Sequence, residues 1–213
     1  MEEKITIVAD GVEKRFLHRP VFRPVSFTAE QKEIIAITGA NGAGKSTLLK
    51  IIANALSPTK GSCQWLRDGK KLDHDGIRIS MGFVAPYLEL YDELTAVEHV
   101  EFVANMKSIP LSTNSALELL DRFGLDTSIA RGDRRMRAYS SGMKQRVRCA
   151  MAFACSPSVL LLDEPTSNLD DTGTTIVLNE AVNAATAGAI VFIATNDARE
   201  RAIATREIQI EPL

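Results

Sequence analysis

The chain is short of cysteine and carries no surplus of either charge, and each shortage removes a class of function. Cys63, Cys149 and Cys155 are odd in number and lack C-x-x-C spacing, so neither a disulfide framework nor a zinc site is indicated, and a reducing cytosol fits best. Lys and Arg number 25 against 27 Asp and Glu, a net charge of −2, so no global positive field argues for a nucleic-acid partner and none is expected. Arg131, Arg134, Arg135 and Arg137 form a local basic cluster that reads as a solvated face. No uninterrupted apolar stretch approaches a membrane span, and the opening Met1-Glu2-Glu3-Lys4 leads into only a short apolar run; the expectation is a soluble chain without an export signal. Internal repeats, low-complexity tracts, heptads and long linkers are missing too, which points to one compact unit spanning 1–213.

What is present is concentrated in three places. Gly39-Ala40-Asn41-Gly42-Ala43-Gly44-Lys45-Ser46-Thr47 fits G-x-x-x-x-G-K-[ST] and lies between an apolar strand-like run, 34–38, and an apolar helix-like run, 48–56. Glycines there let backbone N–H groups turn inward around phosphates, Lys45 reaches the terminal phosphates as a point charge, and the Ser46 hydroxyl can ligate Mg²⁺. The helix starting near Lys45 adds its positive dipole end. A plain Gly-rich turn between strand and helix is the alternative. Further on, Val159-Leu160-Leu161-Leu162-Asp163-Glu164-Pro165-Thr166 ends an apolar strand in two carboxylates. Asp163 can hold Mg²⁺ or its waters and Glu164 can accept a proton from an attacking water, unless both merely cap the turn. Between these motifs, Tyr139-Ser140-Ser141-Gly142-Met143-Lys144-Gln145-Arg146 opens an apolar helix for which Ser140 could be only the cap.

Periodicity supplies the frame. Residues 5–9 and 25–28 read as strands, 61–71 as a turn-rich hairpin and 77–84 as a further strand. Residues 95–105, 115–123 and 141–154 show helical spacing, with Pro110 separating the first two. Residues 159–162 and 189–194 suit strands buried on both faces, joined by a crossover helix over 172–187. The fold class is therefore α/β, with an N-terminal antiparallel β portion, a parallel core and a helical insertion at about 87–150.

The order and spacing of phosphate cradle, Ser-x-Gly helix start, Asp-Glu-Pro strand end and Ser167-Asn168-Leu169-Asp170 resemble the ATP-binding cassette (ABC) ATPases over essentially the whole chain. The resemblance implies the P-loop NTPase cassette fold, ATP and Mg²⁺ as ligands, and hydrolysis of ATP. It implies a head-to-tail homodimer formed on ATP binding, in which Ser140 and the Gly142 N–H of one chain contact the γ-phosphate held by the other, with 167–170 crossing the interface. Phe16 aligns with the aromatic that stacks on adenine; a buried core Phe is the competing reading. Size and signature are most similar to small exporter ATPases such as that of the haem exporter of cytochrome c maturation. That kinship implies a separately encoded transmembrane permease and a place on the cytoplasmic face of the cell membrane. The alternative is a nontransport cassette acting as an ATP-gated scaffold.

Three positions depart from the family pattern. The signature Leu-Ser-Gly-Gly-Gln reads Tyr139-Ser140-Ser141-Gly142-Met143. Pro86, in Gly82-Phe83-Val84-Ala85-Pro86, stands where a Gln usually joins Mg²⁺ and senses the permease, and Tyr87 or Glu89 could substitute. Asn196, in Ile193-Ala194-Thr195-Asn196-Asp197, replaces the switch His, and the three histidines, His18, His74 and His99, all lie upstream of residue 100. Asn can bridge by hydrogen bonds but carries no proton or charge, so turnover is expected to be slow. Tyr87, Leu88, Leu90, Tyr91 and Leu94 could line a groove for a permease helix or serve as core of the insertion.

Overall fold

Alternating burial marks the first strand, β1 (Ile5–Glu13), as half covered, with Ile5, Ile7 and Ala9 turned inward. The short pair β2 (Arg15–Phe16) and β3 (Arg19–Pro20) follows, then β4 (Val25–Glu30) and β5 (Ile34–Thr38), buried at every residue. Next come α1 (Lys45–Ile52), the hairpin β6 (Lys60–Arg67) and β7 (Lys70–Lys71), α2 (His74–Ser80) and β8 (Met81–Val84). Helices α3 (Ala96–Met106), α4 (Thr113–Arg122), α5 (Thr127–Ala130) and α6 (Ser141–Phe153) lead to β9 (Val159–Asp163). The order closes with α7 (Asp171–Thr186), β10 (Ile190–Ala194), α8 (Ala198–Ala202) and β11 (Arg206–Gln209). The computed structural model describes residues 4–17, 19–130 and 133–211; Met1 to Glu3, His18 and Arg131 lie outside them.

Two sheets carry the fold. β4, β1, β6 and β7 form an antiparallel sheet in that order, and β11, β5, β10, β9 and β8 form a parallel one. Three of the parallel strands, β5, β9 and β10, are buried on both faces, and their alternation divides the core: Leu160, Leu162, Val191 and Ile193 pack toward the helices with Val100, Leu120 and Phe123. Leu161, Ile190, Phe192, Ile35 and Ile37 face α1 and the antiparallel sheet, with Trp65 and Leu49. That is why these strands read as continuous apolar runs while β1 alternates.

Local chemistry sets the boundaries. Thr95 and Glu98 form a reciprocal capping box at the start of α3. Asp68 and Gly69, with φ of 51° and 77°, make the tight turn of the β6–β7 hairpin that the sequence predicts. The expectation of a strand over 77–84 is corrected: residues 77–80 complete α2, because the Asp73 side chain caps that helix through Gly76 N–H at 2.8 Å, and only the last four residues extend. Among the elements not anticipated are β2, β3, α5, α8 and the edge strand β11, which is short and charged and so carries little apolar signal. The described members of the basic cluster lie at the surface. Arg135 and Arg137 pair with Glu98 and Glu93, and Arg134 donates to the Ala138 carbonyl, in keeping with a solvated face.

Helix α6 meets β8 with no room to spare: a Cβ on Gly82 would lie 2.0 Å from the Ala152 carbonyl oxygen. Backbone atoms cannot rotate aside as a side chain can. Gly82→Ala should therefore lower the unfolding free energy by about 3 kcal/mol, read from the shift of the urea midpoint at unchanged slope.

Candidate functional site

In a parallel sheet every strand presents its C-terminal end at the same edge, and loops from neighbouring strands meet there. The phosphate-cradle motif leaves β5, Asn196 follows β10, Asp163 and Glu164 end and follow β9, and Ala85 to Tyr87 follow β8; these strands are consecutive in the sheet. Register aligns the ends, since Ala194 pairs with both Ile37 and Asp163, and Val84 with Leu162. The fold thus gathers residues 39–47, 85–87, 163–164 and 196 along one edge.

The loop 39–44 is built for inward-facing N–H groups. Gly39, Gly42 and Gly44 take φ of 146°, 80° and 103°, a region open to glycine at little strain. Asn41 and Gly42 are exposed at its rim and Ala43 is buried beneath it. Lys45, Ser46 and Thr47 form the first turn of α1. The Lys45 ammonium, on a side chain only 7% exposed, donates to the carbonyls of Gly39 at 2.8 Å and Ala40 at 3.2 Å, curled across the loop it belongs to.

Asp163 is 3% exposed. Burial pushes its carboxyl up, a hydrogen bond from Ser46 pulls it down, and the neighbouring Glu164 charge raises it again, with Lys50 and Lys45 opposing. A buried carboxylate bonded to the helix-start hydroxyl is the hard-oxygen donor pair that suits Mg²⁺, so these residues fit that ion. Glu164, exposed just beyond the strand, has φ of 45°, and its N–H donates to the Ala194 carbonyl at 3.0 Å, which ties the ends of β9 and β10. The Asn196 amide donates to the Asn41 side-chain oxygen at 2.8 Å, joining the segment after β10 to the rim of the cradle across 155 positions of sequence.

Tyr87 and Glu89 separate clearly. The Lys50 ammonium lies 4.0 Å from the Tyr87 ring centroid, and burial together with the Asp163 charge pushes the Tyr87 phenol up to about 12. Glu89 is exposed and no such tie holds it. Phe16 is 51% exposed, with the Lys14 ammonium 5.2 Å from its ring, so the buried-core reading of Phe16 is excluded. Its hairpin is closed by Val21 N–H to the Lys14 carbonyl, and Val21 and Phe22 are the side chains that a Cβ on Gly44 would strike at 2.6 and 2.7 Å. The aromatic is thus carried beside the phosphate loop.

Ser140 caps α6, its Oγ accepting from Met143 N–H at 3.2 Å, which still leaves the hydroxyl proton free to donate outward from an exposed position. Gly142 lies against the Asn168 carbonyl, which an added Cβ would approach to 2.9 Å. Arg146 bonds Asp170 and the Phe123 carbonyl, both at 2.8 Å, locking this helix to the segment 167–170. Ser140 and Gly142 thus stand at the start of α6, against the segment 167–170.

Of the groove candidates, Tyr87 and Tyr91 are exposed, at 45% and 61%, while Leu88, Leu90 and Leu94 are half buried and Leu90 packs on the core. Phe102 lies edge-on to Tyr91 at 6.1 Å and, with Met106, extends the exposed apolar surface. Sequence reasoning overlooked Glu200. It is 2% exposed and accepts from Thr166 N–H and hydroxyl at 3.1 and 2.5 Å; burial pushes its carboxyl up, against hydrogen bonds from Thr166 and Thr195. Its position four residues after Asn196 was the available signal.

A glycine-rich loop feeding a helix at the carboxyl edge of a parallel sheet, beside a buried Asp bonded to the helix-start Ser, defines a P-loop NTPase. Residues 22–167 match the ABC transporter family, and the chain belongs to that family. HrtA of Staphylococcus haemolyticus, an ATP-binding protein whose name ascribes it to hemin import, is 33% identical over 198 residues, 90% of this chain and 88% of HrtA. PvdT of Pseudomonas entomophila, a pyoverdine export ATP-binding/permease protein, is 35% identical over 197 residues, 89% of this chain and 30% of PvdT. Among solved structures, the ATP-binding cassette MJ0796, a dimer in a post-hydrolysis state bound to ADP and Pi, superposes with a TM-score of 0.85 at 28% identity, over 96% of this chain and 94% of that one. The first curated relatives are longer: the chain spans 54% and 44% of their length. The architecture is accordingly the ATP-binding cassette fold, with its antiparallel β portion and its helical insertion. No described helix is long and apolar enough to cross a membrane.

Proposed function

We propose that the chain, as a single cassette over 1–213, binds and hydrolyses ATP and powers a separately encoded export permease from the cytoplasmic face of the membrane. The observation that carries the ATPase reading is the convergence of the cradle, Asp163 and Glu164 at one sheet edge, with Asp163 bonded to Ser46. In this reading the N–H groups of 39–47 and the Lys45 ammonium hold the phosphates, and Phe16 stacks on the adenine. Ser46 and Asp163 hold Mg²⁺, which would neutralise phosphate charge when bound. Glu164 takes the proton of the attacking water. Tyr87 occupies the position left by the missing loop glutamine, supported by its tie to Lys50 and Asp163. Ser140 and Gly142 serve the nucleotide held by the partner copy, supported by the exposure of Ser140 and by the dimeric solved cassette. Magnesium-dependent phosphate release from ATP by the purified chain tests the reading; its absence at saturating nucleotide would overturn it.

The exposed surface of Tyr87, Tyr91, Phe102 and Met106 suits a permease helix, and it lies next to the nucleotide edge through Tyr87. Export is favoured by the reduced signature and by the relative named for pyoverdine export, while another relative is named for import. A neighbouring reading frame with several membrane spans would support the permease, and a soluble neighbour would favour the scaffold.

Asn196 gives the proposal a sharper test. A His there can hydrogen-bond a terminal phosphate and, when protonated, offset developing charge, and charge-assisted contacts are stronger than neutral ones. Asn196→His should raise turnover on the order of tenfold, and Asn196→Ala, which removes the bond to Asn41 as well, should lower it below the parent. Three equal steady-state rates at matched dimer occupancy would remove Asn196 from the mechanism.

A further inference from the structure

Side chains outside the nucleotide edge form a continuous polar chain through the core. It starts at the exposed apolar surface, where the Arg148 guanidinium donates through Nε to the Leu88 carbonyl at 2.7 Å and through Nη1 to Gln145 Oε1 at 3.2 Å. Gln145 is fully buried, and its Nε2 donates to the Pro165 carbonyl at 2.8 Å. The next residue, Thr166, donates through both backbone N–H and hydroxyl to the Glu200 carboxylate. Glu200 sits on α8, whose N-cap, Asp197, directly follows Asn196.

The two residues at the middle of this chain, Pro165 and Thr166, immediately follow Glu164. They are gripped from one side by α6, the helix that Ser140 caps, and from the other by the element that follows Asn196. A buried polar group left without its partner is costly, so each link favours one arrangement of its neighbours over all others. Packing Glu200 away from solvent has no value for nucleotide contact, and none of these side chains lies in the cradle.

We infer that Arg148, Gln145, Thr166 and Glu200 form a positioning relay that holds Glu164 and Asn196 in mutual register and joins them to the Tyr87–Tyr91 surface. The relay rests on the ATPase reading and adds to it the residues that set the catalytic geometry. It acts through Glu164 and touches no substrate. Loosening one link frees the segment after Glu164, and loosening a second link of the same relay frees nothing more.

That non-additivity is the test. Steady-state kcat and equilibrium ATP affinity are measured for the parent, Arg148→Met, Glu200→Leu, their double variant and the rescue variant Glu200→Gln, whose amide oxygen can accept both Thr166 bonds. Each broken link should lower kcat about tenfold while Kd for ATP moves less than about twofold, and the double variant should fall no further than the worse single. Glu200→Gln should return kcat to within about threefold of the parent. A double variant whose loss is the product of the singles overturns the relay, as does a Glu200→Gln as slow as Glu200→Leu. Should Glu200→Leu fail to fold, Thr166→Val, which deletes only the hydroxyl donor, takes its place in the same cycle. A parent without ATPase activity would instead refute the ATPase reading, so the two failures are distinct.

Discussion

Glu164→Gln should bind ATP as the parent does and lose turnover by roughly 10²- to 10⁴-fold, whereas Lys45→Ala should lose the affinity itself. The difference follows from where the charges sit. The Lys45 ammonium is curled over the loop carbonyls of Gly39 and Ala40 on a side chain 7% exposed, so its removal strips a buried cation from the phosphate cradle before any chemistry starts. Glu164 stands at the rim, exposed, on a backbone held at φ of 45° by its N–H bond to Ala194, and contributes no buried charge that binding requires. Gln keeps the size and the hydrogen-bonding reach and removes only the capacity to accept a proton. Calorimetry for binding and phosphate release for turnover separate the two variants. Full turnover by Glu164→Gln would sink the assignment of Glu164 as base.

Glu164→Gln should also sediment as a dimer with MgATP, and adding Ser140→Arg should return it to monomer. Ser140 is exposed at the N-terminus of α6, with its Oγ accepting from Met143 N–H and its hydroxyl proton left to donate. In the proposed dimer the phosphate it serves belongs to a second copy; the solved cassette with TM-score 0.85 is itself dimeric. An Arg there places a bulky cation in the interface and removes the donor, with loss of closure equivalent to at least about tenfold in dimer affinity. Helix capping alone predicts a different result: a modest loss of stability of about 1 kcal/mol and an unchanged sedimentation profile at saturating ATP. Equal sedimentation of the two variants would therefore leave Ser140 as a cap and nothing more.

The legible part of the site was the part carried by continuous segments. Residues 39–47 form one loop and helix start, and 159–164 form one strand and its end, so pattern and spacing sufficed to mark both. Phe16 was ambiguous because a sequence cannot tell an exposed aromatic from a core one; burial in three dimensions decided it. Tyr87 and Glu89 were equivalent as neighbours of Pro86 until the loop after β8 was seen beside Asp163 and Lys50, on separate elements. Glu200 escaped notice because its partner, Thr166, is 34 residues away and the segment around it is charged and short.

The sequence by itself determined the class of element at most positions and the identity of the nucleotide motifs, because period, glycine placement and a lysine or carboxylate at a strand end are local properties of the chain. It also determined that no histidine follows His99 and that no glutamine lies between Gln64 and Gln145. Only the tertiary structure decided which distant side chains meet. The adjacency of β5, β10, β9 and β8 brings Asn196 to Asn41, Tyr87 to Asp163, and Thr166 to Glu200, and strand order is fixed by crossover packing over the whole core. Hydrogen bonds across 34 or 155 residues exist only once that core has closed, and no period or spacing in the chain encodes them.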